Sequence, residues 1–306
     1  MSSWEGKTRG GVLGYKIFVL TLKYLGLRFS YFLLSFVVIY FLATSGKAVQ
    51  AIFQFYNRVM KYSRIKAFFS IYLNYYMFGQ ILLDKIAMLA GFQQKFTFDF
   101  EGEEYLRQMN DGGLLVSAHV GNWEIAGQLL NRLEKKINIL LFDAEHQRIK
   151  GYLSDVLSAR NVNFIVIRDD FSHLLEIKLA LANKEIIAMH GDRFLKGNKT
   201  VILNFMGKPA AFPIGPVNMA AKFNIPVSFV FAVKERSTHY HFYATPLTKV
   251  VFTTNLKKRE ENFREALSLY AEKFEEILRK YPLQWFNYYD FWKLPEVLPR
   301  LPETNP

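Results

Sequence analysis

The sequence predicts a single α/β domain with a central mixed β-sheet flanked by helices, joined to N-terminal membrane-associated helices. Three observations carry this expectation. After Gly91 short apolar runs alternate with polar stretches of helical period, residues 11 to 44 hold two long apolar runs, and Asn255 to Tyr281 places apolar residues at helical spacing with charges opposite. A chain of 306 residues is long enough for one large domain with an appended segment and too short for two ordinary enzymes. The expected division is an anchor or interfacial segment over 1–48 and a catalytic α/β domain over 49–306.

The apolar runs KIFVLTL and YFLLSFVVIYFLAT are separated by KYLGLRFS, which carries Lys23 and Arg28. Neither alone reaches the roughly 18 to 20 uninterrupted apolar residues of a clear spanning helix. A short tilted span, a re-entrant hairpin and an interfacial helix pair all remain open. Lys7, Arg9 and Lys16 precede the region and Lys47, Arg58, Lys61, Arg64 and Lys66 follow it, which fits both flanks facing an anionic cytoplasmic leaflet. No compact apolar core precedes a small-residue cleavage site, so the segment is expected to stay in the mature protein.

Residues 49 to 90 read as helical, and their aromatics suit either a core or a membrane-facing surface. The strand candidates that follow are KFTFDFE, GLLVSA, INILLF, NFIVI, EIIAM, TVILNF, PVSFVFAV and HYHFYAT, with helices between several of them. The closing helix buries Phe263, Ala266, Leu267, Tyr270, Phe274, Ile277 and Leu278, and Pro282 stops it. Beyond it the aromatic tail PLQWFNYYDFWKLPEVLP either closes over the domain or rests at a membrane interface.

Composition narrows the function. Hydrophobic residues make up 51% and aromatics 16%, with 29 Phe and 17 Tyr, which is rich for a freely soluble protein. The 39 Lys and Arg against 27 Asp and Glu leave +12, suited to an anionic membrane surface. Nucleic acid is not an expected partner, since there is no zinc-finger spacing, no basic heptad helix and no aromatic RNA-binding signature. The absence of cysteine removes disulfides, thiolate metal sites and an enzyme-bound thioester.

The chemistry concentrates in GLLVSAHVGNWEIAGQLLNRLEKK, which reads as a buried strand, a turn at HVGN and a helix starting near Asn122 or Trp123. Four residues separate His119 from Glu124, which lets the carboxylate curl back onto one imidazole nitrogen and leave the other as a base. An acceptor hydroxyl or amine attacking a thioester needs such a base and no covalent enzyme intermediate. Peptide N–H groups from Val120 to Trp123, at the positive end of a helix, are candidate oxyanion donors, and Gly121 would admit substrate close to the backbone. By spacing alone, a favourable first-turn acid beside a packed turn histidine is the commoner case.

The ordered motifs resemble a family. His119-Val-Gly-Asn-Trp-Glu124 is similar to the HxxxxE signature, often ending G-N-W-E, of the late-acting lipid A acyltransferases, a branch of the bacterial lipid acyltransferases. AMHGDRFLKGNKTVILNFMGKPAAFPIGPVNMAAKFNIPV is similar to their second block, an Asp usually followed by Gln, an apolar strand, an F-x-G-x-P turn and a Gly-led helix. PLQWFNYYDFWK is similar to their closing P-x-Q-W motif. These blocks span roughly residues 95 to 293.

The resemblance implies an enzyme that moves a fatty acyl group from acyl carrier protein, or from acyl-coenzyme A, to a membrane lipid, with a lipid A precursor as the leading acceptor. It implies His119 and Glu124 as catalytic residues, no further cofactor and no metal, and a place at the bacterial inner membrane with the catalytic domain on the cytoplasmic side. Asn122, Trp123, Arg168, Asp192 and Arg193 join Gly121 as substrate-contact candidates. Asp192-Arg193 departs from the usual Asp-Gln, and Tyr289-Asp290 stands where a basic residue is common, so another glycolipid, an aminolipid or a polyene pigment lipid remains an alternative acceptor. A non-catalytic lipid-binding protein and a thioester hydrolase are the competing classes.

Other patterns fail. GDRFLKGNKT has the wrong spacing for a phosphate-binding P-loop, and no HExxH or Gly-x-Ser-x-Gly is present. His239 and His241 alternate on a strand and read as a solvent-facing or interface pair rather than metal ligands.

Overall fold

The computed structural model describes residues 12–122, 135–142, 162–168, 170, 172–195 and 197–294. Within these residues the expected mixed α/β architecture is present. A main sheet of eight strands has β1 (Thr97–Glu101), β2 (Gly113–Ser117), β3 (Ile137–Phe142), β4 (Val162–Ile167), β5 (Ile186–His190), β8 (Pro226–Arg236), β9 (His239–Ala244) and the short β10 (Thr248–Lys249). Its order is β1-β9-β8-β2-β5-β3-β4, with β10 beside β8. Strands β8, β2, β5, β3 and β4 are mutually parallel, and the hairpin-linked β9 runs against β8.

All eight strand candidates form strands, but TVILNF leaves the main sheet. It is β6 (Thr200–Phe205), paired only with β7 (Lys208–Pro213), a strand not anticipated because two of its six residues are prolines. Met206 and Gly207 turn the hairpin with φ of 56° and 78°, the double positive φ of a tight two-residue loop. The Glu275 carboxylate accepts the Met206 N–H at 2.6 Å and ties this turn to α8 (Leu256–Lys280).

Side-chain alternation gives the sheet two packed faces. Leu114, Val116, Ile187, Phe229 and Phe231 face α7 (Gly215–Phe223), α8, the β6–β7 hairpin and the tail, where Phe205, Phe212, Tyr270, Phe274, Trp285 and Phe291 form an aromatic core. All seven apolar residues expected to form the buried stripe of α8 are buried. The tail therefore closes over the domain rather than reaching away from it. Leu115, Ile137, Ile186, Ala232, Tyr240 and Phe242 face the other way, towards the N-terminal helices and α5 (Glu103–Arg107).

The N-terminal helices are α1 (Val12–Tyr24), α2 (Gly26–Thr44), α3 (Gly46–Gln54) and α4 (Arg64–Ala87), of which α3 and the start of α4 reach the aromatic core instead through Ile52, Ala67 and Ile71; α6 (Ser172–Ala182) covers β4 and β5. Gly26, at φ +82°, breaks the apolar region into α1 and α2. Helix α2 has the length and mean hydropathy, 1.8, to cross a bilayer, with 22% of that stretch buried. Leu27, Tyr31, Leu34 and Val38 recur at helical spacing and join the domain core, while Phe29, Phe32, Phe36, Ile39 and Tyr40 on the opposite face are exposed. Gly79 on α4 lets Leu34 approach, since a Cβ there would lie 2.5 Å from its Cδ1.

A buried polar cluster fastens α2 and α4 to the sheet. Asp84 accepts hydrogen bonds from the Tyr31 and Tyr240 hydroxyls and from the Lys234 ammonium, which also donates to Tyr31 at 2.8 Å. Burial pushes the Asp84 carboxyl up and the Lys234 ammonium down, and their mutual attraction opposes both shifts. Removing one partner strands the other in the core. Lys234→Met is expected to lower unfolding stability by about 3–5 kcal/mol in denaturant titrations, and adding Asp84→Leu to recover part of that loss.

Candidate active site

Strands β2 and β5 are neighbours, parallel and in register, with Ser117 opposite His190. Two residues beyond that pair, each chain leaves the sheet at its carboxyl end, and His119 meets Asp192. The Gly191 N–H donates to the Ser117 carbonyl at 2.8 Å, extending the ladder one step and setting the distance between the two turns. This is the general location of ligand sites in open α/β sheets.

The contact is bidentate. His119 Nδ1 lies 2.7 Å from Asp192 Oδ1, and the His119 backbone N–H donates to Oδ2 at 3.1 Å. Asp192 is fully buried, while the His119 side chain is 16% exposed. Burial by itself would raise the Asp192 carboxyl, but the charge and hydrogen bond of His119, with Arg193 and His190, hold it well below the usual carboxylate range. An ionised carboxylate only accepts, so Nδ1 carries the proton and Nε2 presents the lone pair.

His190 packs its ring against that of His119, centroids 4.2 Å apart at 34°. Burial, then the charge of His119, pushes its pKa well below the ordinary value, so it contributes a neutral wall. Tyr289 donates to the Asp192 carbonyl at 3.0 Å and Tyr270 to the Ser117 carbonyl at 2.9 Å, bracing both turns. The ligand-capable atoms of His119, His190 and Asp192 lie within 4.8 Å of one another and are the group among the described residues that could hold a cation. Two of those atoms, His119 Nδ1 and Asp192 Oδ1, are already engaged with each other.

Several expectations change here. The orienting carboxylate on Nδ1 is Asp192, which is remote in sequence; Glu124 and Trp123 lie outside the described residues. The Val120, Gly121 and Asn122 N–H groups donate to the carbonyls of Ala118, Gln284 and Ala232, so these three are committed within the protein and not aimed at an oxyanion. The backbone that Gly121 admits is the protein's own: at φ +61°, a Cβ there would lie 2.0 Å from the Ala232 carbonyl oxygen. The Asn122 side chain is buried between Ile81 and Tyr240.

Arg193 is half-buried and donates to the Phe286 carbonyl at 2.9 Å, tying the Asp192 turn to the tail. Arg168 follows β4 at the far edge of the sheet, exposed, bonded to Ser172 and to Glu176 at 3.0 Å. His239 and His241 pair with Asp99 and Glu235 on β1 and β8, away from His119.

Next to His190 the sheet is hollow. A cavity of about 800 Å³, its open mouth included, runs along the face of the sheet that bears α5. Ala188, Ala232 and Ala244 are small residues on this face, with Ser117 and His190 at one end. Leu106, Leu115, Ile137, Ile139, Val230 and Phe242 make its walls apolar. Sequence reasoning missed the Asp192 pairing and the position of this hollow, because each depends on which strands are neighbours.

The sequence profile of the bacterial lipid A biosynthesis acyltransferases matches residues 71–294, well over half of the chain. The chain belongs to that family. It is an enzyme that transfers acyl groups, of the lipid acyltransferase type, and a purely lipid-binding role is set aside. The match starts within α4, so α1 to α3 lie outside it. Among solved structures the chain is similar to the 1-acyl-sn-glycerophosphate (LPA) acyltransferase PlsC from Thermotoga maritima. That likeness has 16% identity and a TM-score of 0.39, over 81% of this chain and 98% of that one. A comparison with curated protein sequences gives no match.

The depressed carboxyl of Asp192 has a measurable consequence. Its folded-state pKa lies below the unfolded value, so its stabilisation is fully present above about pH 4 and is lost as pH falls towards the folded value. The melting temperature of the wild type is therefore expected to fall more steeply below about pH 4 than that of Asp192→Asn, followed by circular dichroism in detergent.

Proposed function

We propose that this acyltransferase moves a fatty acyl group from a carrier thioester to a membrane lipid acceptor, with His119 as general base and Asp192 holding it. The observation that carries the reading is the 2.7 Å contact between His119 Nδ1 and the buried Asp192 carboxylate, which turns Nε2 into an oriented base. Nε2 takes the proton of the acceptor hydroxyl or amine as its oxygen or nitrogen bonds to the thioester carbonyl. The tetrahedral intermediate collapses, the carbon–sulfur bond breaks, and the leaving thiolate recovers that proton from the imidazolium. Glu124, the acid of the HxxxxE signature, remains in the proposal as a catalytic residue beside Asp192.

Acyl carrier protein is the proposed donor, with acyl-coenzyme A as the alternative, and a lipid A precursor is the proposed acceptor. The apolar cavity beside His190 is the proposed seat of the acyl chain: its walls offer burial to an alkyl tail, and the His190 ring at its end packs against that of His119. The proposed location is the inner membrane, facing the cytoplasm. From Gly6 to Leu83 the sequence has no Asp or Glu, and the exposed Phe32, Phe36, Ile65, Phe68 and Phe69 on α2 and α4 stand among its Lys and Arg residues.

Two outcomes test this. His119→Gln is expected to abolish transfer, and Asp192→Asn and Glu124→Gln to slow it by about 10²–10⁴-fold, in detergent assays offering both donors and read by mass spectrometry of the lipid product. Full turnover by His119→Gln would sink the reading. Ala188→Leu, which fills the cavity floor, is expected to move the preferred acyl chain to a shorter length while a short-chain donor is used as well as before. An unchanged chain-length profile would remove the cavity from the acyl path.

A further inference from the structure

The turn from Ala118 to Asn122 leaves the sheet but stays buried, with Ala118 and Val120 at 0% exposure and Asn122 at 2%. Its backbone groups need partners that no neighbouring main-sheet ladder supplies in full. They find them in the tail. Phe286 N–H donates to the His119 carbonyl and Gly121 N–H to the Gln284 carbonyl, both at 2.9 Å, so His119 is framed by a one-bridge antiparallel pairing of Val120 with Trp285.

That pairing can position His119 only if the stretch Pro282–Phe286 is itself held, and two side-chain amides hold it. Gln284, 3% exposed, behaves as a substitute strand: its Oε1 accepts from the Lys234 N–H at 2.8 Å and its Nε2 donates to the Lys234 carbonyl at 2.6 Å. Asn74 on α4, fully buried, donates from one Nδ2 to the carbonyls of Leu283 and Trp285, both at 3.0 Å. Tyr56 donates to the Pro282 carbonyl at 3.0 Å and Arg193 to that of Phe286 at 2.9 Å. Every carbonyl from Pro282 to Phe286 is thus bonded, and the anchors come from the turn after α3, from α4, from β8 and from the turns that carry His119 and Asp192.

We propose that Gln284 and Asn74 are positioning residues for His119, acting through the backbone of Pro282–Phe286. The inference rests on His119 being the base. Neither amide is hydrogen-bonded to His119: Asn74 holds the carbonyl of the same Trp285–Phe286 peptide whose N–H meets the His119 carbonyl, and Gln284, clamped to Lys234 by its side chain, offers its own backbone carbonyl to the Gly121 N–H. A shift of the imidazole by about 1 Å costs on the order of 10²-fold in rate, so loosening either amide is expected to act on kcat.

The test uses Gln284→Met and Asn74→Leu in the full-length enzyme, with Val201→Ala in the β6 core as a control for lost stability. Transfer is measured per folded molecule well below each melting temperature. The Nδ1–H resonance of His119 is followed in ¹⁵N-histidine-labelled protein and assigned by its loss in His119→Gln. Expected are a fall in kcat of about 10- to 100-fold with KM for the donor within about two-fold, together with a shifted or broadened resonance. Val201→Ala is expected to keep both the wild-type kcat and the wild-type resonance. The proposal is overturned if either amide variant keeps kcat within about two-fold, if the loss falls on KM alone, or if it is matched by the control at equal loss of melting temperature. Should Gln284→Met fail to fold, Asn74→Leu decides by the same readings. Retained activity in His119→Gln would instead be a failure of the general-base reading.

Discussion

The short exchange of backbone hydrogen bonds between the His119 turn and the tail at Gln284–Phe286 is the constraint on which the site depends. A turn must leave its strand to present a side chain, and a buried turn that leaves its ladder exposes unpaired peptide groups. This chain solves the conflict by bringing in a segment more than 160 residues later and giving that segment its own anchors. The aromatic tail is therefore a wall of the site as well as a cover for the core.

Around that frame the two sheet faces divide the work. One is packed with aromatic rings, Phe205, Phe274, Trp285 and Phe291 among them, and supplies rigidity beneath the turns. The other is bordered by the N-terminal helices and keeps a hollow over alanines. The buried Asp84–Lys234 pair joins the N-terminal helices to β8, two residues along the strand from the Ala232 carbonyl that receives the Asn122 N–H. The packing of those helices and the geometry of the His119 turn are thereby mechanically adjacent.

Much of the fold was legible in the sequence because it follows from local pattern. Eight apolar runs made eight strands, the helix over 255–281 came within a residue at each end, and all seven residues expected in its buried stripe are buried, with Ala271 besides. β7 was missed because Pro209 and Pro213 disguise a strand that needs only one partner. His119 was legible from its strand-turn setting and the ordered motifs. Asp192 was visible as a site residue but not as the partner of Nδ1, since local reach favoured the acid five positions on. Gln284 was visible only as part of a motif, with no hint that its amide would stand in for a strand.

The sequence by itself determined the strands, the amphipathic helix, the apolar basic N-terminus and the family, because these are properties of spacing and composition within short windows. Tertiary structure alone decided which carboxylate meets His119, which peptide groups are spent inside the protein, and where the sheet is hollow. Those depend on strand order: β5 lies between β2 and β3, and the parallel pairing of Ser117 with His190 places residues 119 and 192 side by side. No local pattern encodes that adjacency, since it arises from long-range pairing that satisfies buried backbone groups across the whole chain.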